Sequence, residues 1–289
     1  MPNARVRIRV ERLFAAIRAR SHRGIHRATR KAATAAALAG KVLTMPGMWR
    51  AESRLPGHLR SFVENARMSL SIRLGRTLVP EAALERRLLD ALPLLMERTG
   101  SAAIGDYLEF GVYYGASMAC MHRVLRTLHL DHVRLFGFDS FQGLPAEAEY
   151  EDLGAWRPGK YACSARFARR YLSSQQLDWS RAFLIEGWFQ DTLTKETANE
   201  CGLSHAGVIM VDADLSSSAA AALSFCAPLI RDACIILFDD WCAGGLDERD
   251  LGEKLAFDEF LTANSDLVAD KLGGYSEHSE IFFLQRQAR

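Results

Sequence analysis

Two acidic pairs carry the strongest chemical signal in the chain, Asp212-Ala213-Asp214 and Asp239-Asp240. Each follows a short apolar run, GVIMV and CIILF, of the length and composition of a buried strand. If the two runs are neighbouring parallel strands, four carboxylates converge on one edge of a sheet. They repel one another there, and a divalent cation is the simplest relief. Hard oxygen donors of this kind suit Mg2+ or Mn2+, with waters and substrate oxygens completing the shell. The plainer reading is a solvated acidic rim.

A second group lies earlier, in YLEFGVYYGAS at residues 107–117. Strand-type residues lead into Gly111 and Gly115, and a helical apolar pattern follows through Ala116, Met118, Met121, Val124 and Leu128. A glycine turn opening a helix bares backbone N–H groups and lets a small charged ligand approach the main chain. Glu109, at the strand end beside that turn, suits a nucleotide-like ligand that carries positive charge. The glycines do not have the G-x-G-x-x-G spacing of a dinucleotide dehydrogenase. Asp139 ends a further apolar run, where an acidic residue accepts hydrogen bonds from a ribose diol. Its bland alternative is a turn aspartate ahead of Gly143-Leu144-Pro145. Trp188 follows Glu186-Gly187 and offers either purine-facing aromatic surface or a core side chain.

Strands are expected at Asp106–Phe110, Val133–Phe138, Ala182–Ile185, Gly207–Val211, Ala233–Phe238 and Glu280–Leu284, with helices between them, including Ser216–Ile230 and Leu251–Leu261. That alternation predicts an α/β fold with a doubly wound, mostly parallel sheet, whose ligands bind at the carboxyl ends of its strands. Ahead of it, Pro80-Glu81 fits a helix start, and Leu84, Leu88, Leu89, Leu92 and Leu95 form an apolar stripe closed by Gly100. The expected organisation is a basic arm over 1–48, a helical cap over 49–100 and the α/β domain over 101–289.

The net charge of +1 conceals an asymmetry: residues 1–60 hold 14 Lys+Arg against Glu11 and Glu52, and the other 229 residues hold 22 basic against 33 acidic. Arginines interleaved with Val6, Ile8 and Val10 do not form the single apolar core of a secretory signal. Such an arm suits an anionic surface or a solvated extension. A hydrophobic fraction of 49% is ordinary for a globular protein, and no apolar run has the length of a bilayer span. The six cysteines form no CxxC pair, which predicts a reduced, cytoplasmic protein.

The ordered pieces LEFGVYYGAS, GFDSFQGLP, GWFQDTL, VDADL, FDDW and GEKLAFDEF, over roughly residues 106–284, resemble the macrocin O-methyltransferase (TylF-like) family. That resemblance implies a Rossmann-like methyltransferase domain using S-adenosyl-L-methionine and Mg2+ on a hydroxyl of a sugar or glycosylated small molecule. It implies that Glu109, Gly111, Gly115 and Ser117 border the methionine part of the cofactor. Asp139 would hold the ribose, with Ser140 and Phe141 in the neighbouring loop, and Ser164 and Trp188 toward the adenine. Asp212, Asp239 and Asp240 would bind the metal, with Asp214 in support. Asp212 is the first choice of general base and His278 the reserve. The chain departs from the family pattern after Asp214, where Ser216 and Ser217 replace a tyrosine and an acidic residue. A metal-dependent glycosyltransferase and a non-catalytic binding protein using the basic arm are the alternatives. Partner expectations are a sugar-like hydroxyl acceptor, a second copy of the chain and an anionic surface for the arm, with no specific nucleic acid.

Overall fold

The structure is a computed structural model in which residues 68–72 and 77–287 are described. Chain contacts divide the protein at Arg60/Ser61, and every described residue belongs to the second unit, Ser61–Arg289. The basic arm and the first part of the expected helical cap lie outside the described residues.

Seven strands form one sheet: β1 (Asp106–Phe110), β2 (Leu135–Asp139), β3 (Ala182–Glu186), β4 (Ala206–Val211), β5 (Ala233–Phe238), β6 (Leu267–Lys271) and β7 (Glu280–Arg286). Their order is β3-β2-β1-β4-β5-β7-β6, parallel through β5, with β7 antiparallel to both β5 and β6. The sheet is doubly wound and mostly parallel, as its alternating pattern predicts. β6 is the strand that apolar patterning misses. It is an edge strand, LVADK, with only Leu267 fully buried, so its hydrophobic signal is weak.

Among the described residues from Glu81 onward, the helices flanking the sheet are α1 (Glu81–Thr99), α2 (Ala116–Thr127), α3 (Ala165–Ser174), α4 (Phe189–Thr192), α5 (Lys195–Glu200), α6 (Ser216–Cys226) and α7 (Gly252–Ala263). Side chains alternate across a strand, so each strand feeds two cores. Tyr107, Leu135, Met210, Ile235 and Leu237 pack with the buried leucines of α1 and with α2 and α3. Leu108, Phe110, Phe138, Ile209 and Phe238 pack on the other face with α6 and α7. Helix α6 stops at Cys226, four residues short of its expected end. Pro228 gives no amide hydrogen to continue it, and Ala227–Leu229 tighten into a 3-10 turn. β2 begins two residues later than expected, because Val133 closes a turn through its N–H on the Leu130 carbonyl.

The register sets up the site. Phe110 pairs with Phe138 and with Val211, and Val211 pairs with Phe238. Gly111, Asp212 and Asp239 therefore follow β1, β4 and β5, and Asp139 ends β2, at one level side by side along the carboxyl edge of the sheet.

Candidate active site

A cavity of about 530 Å³ opens along that edge, and Gly111, Ser117, Asp139, Ser140, Trp188 and Asp212 are in its wall, together with Asp214, Asp239, Asp240 and His278. Gly111 has φ +90°, and a Cβ built on it would overlap the carbonyl oxygen of Asp212. The β1–α2 turn is thus pressed against the end of β4 by main-chain contact, with the Asp212 N–H donating to the Phe110 carbonyl at 2.9 Å. Only glycine allows that approach. Gly115 (φ +96°) begins α2 and packs on Leu172 of α3, where a Cβ would sit 2.8 Å from the leucine. Its role is to place the helix, and it stands behind the cavity wall.

Glu109 is fully buried, directly behind that wall. Tyr107 Oη and Ser117 Oγ each donate to its carboxylate at 2.6 Å. Burial pushes Glu109 up from its ordinary 4.5 to about 7, with the two hydroxyl donors pulling the other way. Asp139 accepts three main-chain N–H groups, from Val112 (2.8 Å), Tyr113 (2.7 Å) and Phe141 (2.6 Å). It holds the glycine turn and the following loop in shape, and burial still raises its carboxyl above the ordinary range. Phe141, with φ +54°, is buried in the core beneath the loop. Ser164 caps α3, accepting the Phe167 N–H at 3.2 Å. Neither Phe141 nor Ser164 is in the cavity wall.

The acidic pairs do meet. One carboxylate oxygen from each of Asp212, Asp239 and Asp240 lies within 4.8 Å of the others. Burial raises all three, and mutual repulsion with Asp239 and Asp240 raises Asp212 further. Asp240 is driven up to about 7 by burial and then by Asp239, and the approach of Lys160 opposes this. Asp214 is left-handed (φ 60°), and burial followed by the neighbouring Asp240 raises its carboxyl well above the ordinary range. An all-carboxylate donor set at this spacing fits a hard divalent cation.

Three residues around the cluster escape sequence reasoning. Tyr275, from the β6–β7 turn, donates its hydroxyl to Asp239 Oδ1. Glu253 of α7 is buried, accepting the Asp240 N–H at 3.0 Å through Oε2, while Oε1 has no partner among the described residues. Tyr161 enters the cavity wall from the long β2–α3 segment. Glu253 stands inside the GEKLAFDEF piece, a signal that was present; nothing in the sequence marks the other two. His278 reaches the cavity from the same turn as Tyr275, with its side chain half exposed.

The fold and this edge define a Rossmann-like methyltransferase architecture. The solved O-methyltransferase NovP superposes with TM-score 0.55 at 24% identity, covering 71% of this chain and 80% of that one. CalS11, a calicheamicin methyltransferase, superposes with TM-score 0.52 at 20% identity, covering 84% and 90%. The chain itself belongs to the macrocin O-methyltransferase (TylF) family, whose profile matches residues 73–249. Similar curated proteins include the demethyldecarbamoylnovobiocin O-methyltransferase of Streptomyces niveus, 26% identical over 180 residues. A Streptomyces olivaceus enzyme, 8-demethyl-8-(2,3-dimethoxy-alpha-L-rhamnosyl)-tetracenomycin-C 4'-O-methyltransferase, is 28% identical over 148 residues. These matches span 58% and 47% of this chain, and 66% and 53% of the respective relatives. No described helix is long and apolar enough to cross a membrane.

Proposed function

We propose that the protein is an S-adenosyl-L-methionine-dependent O-methyltransferase that uses a divalent cation, Mg2+ by preference, on a hydroxyl of a sugar or glycosylated small molecule. The observation that carries this reading is the meeting of the Asp212–Asp239–Asp240 cluster and the Gly111 turn in one cavity. The family and both curated relatives support methyl transfer over the glycosyltransferase alternative. The names of those relatives support a glycosylated acceptor.

The cofactor would lie against the Gly111 turn, Ser117, Asp139, Ser140 and Trp188. The acidic lining suits its positive charge, and the missing Cβ at Gly111 gives it access to the main chain. It supplies an electrophilic methyl group. The cation would be held by Asp212, Asp239 and Asp240, and it supplies orientation and acidification of a nearby hydroxyl. This chain's residues would align acceptor and donor, which accounts for much of the rate in an in-line transfer. Asp212 would border both the cation and the cofactor and is the candidate acceptor of the hydroxyl proton. Tyr275 and Glu253 hold Asp239 and the Asp240 main chain in place, and Glu109 fixes Ser117.

The deciding experiment uses calorimetry with S-adenosylhomocysteine and labelled methyl transfer to a hydroxylated glycoside fraction. The wild type and Asp212→Ala both bind S-adenosylhomocysteine, and only the wild type transfers label, losing this in excess chelator. Absent binding, or full transfer under chelation, overturns the assignment.

A further inference from the structure

The segment between β2 and α3 carries an acidic pair, Glu151-Asp152, that the proposed reaction does not use. Asp152 is 5% exposed and left-handed (φ 49°), and the next residue, Leu153, is also left-handed (φ 59°) but 72% exposed. Non-glycine residues persist in that conformation only where their surroundings over-determine it. A buried carboxylate also needs partners. Asp152 finds them at the starts of two helices. Its Oδ2 accepts the Ser216 N–H of α6 at 2.9 Å, and its Oδ1 accepts the Gly252 N–H of α7 at 3.0 Å.

Both points adjoin the acidic cluster. Ser216 is two residues past Asp214. Gly252 precedes Glu253, which grips the Asp240 main chain. Glu151 reinforces the first point: Oε1 accepts the Ser217 N–H (2.6 Å) and Ser216 Oγ (2.8 Å), and Oε2 accepts Ser217 Oγ (2.8 Å). Ser216 and Ser217, at the start of α6, are the groups that engage Glu151. Beneath the pair, Ala148 and Trp156 of the segment form a separate apolar cluster with Leu215, Ala243 and Leu246. The segment thus has its own attachment to both halves of the site.

We propose that Asp152 is a positioning residue that couples docking of the β2–α3 segment to cation binding. One carboxylate straddles the two helix starts that follow β4 and β5, so the spacing of Asp212 against Asp239 and Asp240 depends on the segment being seated. This rests on the reading of that cluster as a divalent-cation site. Linkage makes the coupling reciprocal: whatever factor docking adds to cation affinity, the cation adds to docking.

The test uses Mn2+ binding followed by electron paramagnetic resonance, and tryptic cleavage of the Lys160-Tyr161 bond read by mass spectrometry. Lys160 is exposed and lies within the segment. In the wild type, Mn2+ binds and slows cleavage at this bond. In Asp152→Asn, Mn2+ affinity falls about tenfold or more, as for other residues that orient metal ligands. Cleavage there is faster, and Mn2+ protects less. A cooperative thermal melt establishes that the variant is folded. Should it not fold, Glu151→Gln shows the same changes at smaller amplitude. Wild-type Mn2+ affinity retained in a folded Asp152→Asn, or Mn2+ without effect on cleavage at Lys160, overturns the coupling alone. No Mn2+ binding by the wild type overturns the cation reading and the coupling with it.

Discussion

Asp212→Asn is expected to stabilise the protein in chelator while destroying its response to cations. Two carboxylates whose oxygens lie within 4.8 Å repel by at least about 3.5 kcal/mol at an effective dielectric constant of about 20. Asp212 is half-buried and faces both Asp239 and Asp240, and withdrawal from water followed by their charges raises its carboxyl well above the ordinary range. Proton uptake by the cluster caps the penalty, so removing one charge at pH 8 is expected to recover about 2 kcal/mol. For a unit of this size that is a rise of about 4–8 °C in Tm. The assay is a thermal melt at pH 8 of wild type and variant, in chelator and then with Mn2+ added. Wild type melts lower in chelator and gains with Mn2+; the variant melts higher and gains nothing. A variant that melts below wild type in chelator would show that the cluster is held by favourable contacts, and the electrostatic account of the site would fail.

Gly111→Ala places a methyl against the Asp212 carbonyl at φ +90°, and neither group can retreat without parting β1 from β4. A loss of about 3 kcal/mol or more is expected, with loss of S-adenosylhomocysteine binding. Wild-type melting and binding in that variant would refute the close approach of the two strand ends. Glu109 binds its proton more tightly folded than unfolded, so its contribution to stability declines as pH rises from about 4.5 through about 7 and then levels. At 1.36 kcal/mol per pH unit this amounts to about 3 kcal/mol. Melts across this range are therefore expected to show Glu109→Gln gaining on wild type as pH rises, and a variant that loses ground to wild type as pH rises would reverse the sign of the burial effect.

Apolar runs punctuated by glycine and aspartate made five parallel strands and their carboxyl ends readable in advance. The acidic pairs and the Gly111 turn stand out because each chemical group sits one or two residues past a run of β-branched or aromatic residues. Patterning fails where a segment is polar and its partner distant. The edge strand β6 has one fully buried residue, and Tyr275 is an ordinary aromatic until the β6–β7 turn brings it to Asp239.

The amino-acid sequence by itself determined the alternation of elements, the level at which the strands end and the supply of carboxylates, because these depend on local period and composition. Tertiary structure decided which of those groups share a cavity and which only support it. Asp139 lines the cavity while accepting three main-chain amides, Ser164 caps a helix outside it, and Asp152 bridges two helix starts 36 residues apart in the chain. Hydrogen-bond partners of buried carboxylates are set by strand register and helix docking, and no local pattern encodes them.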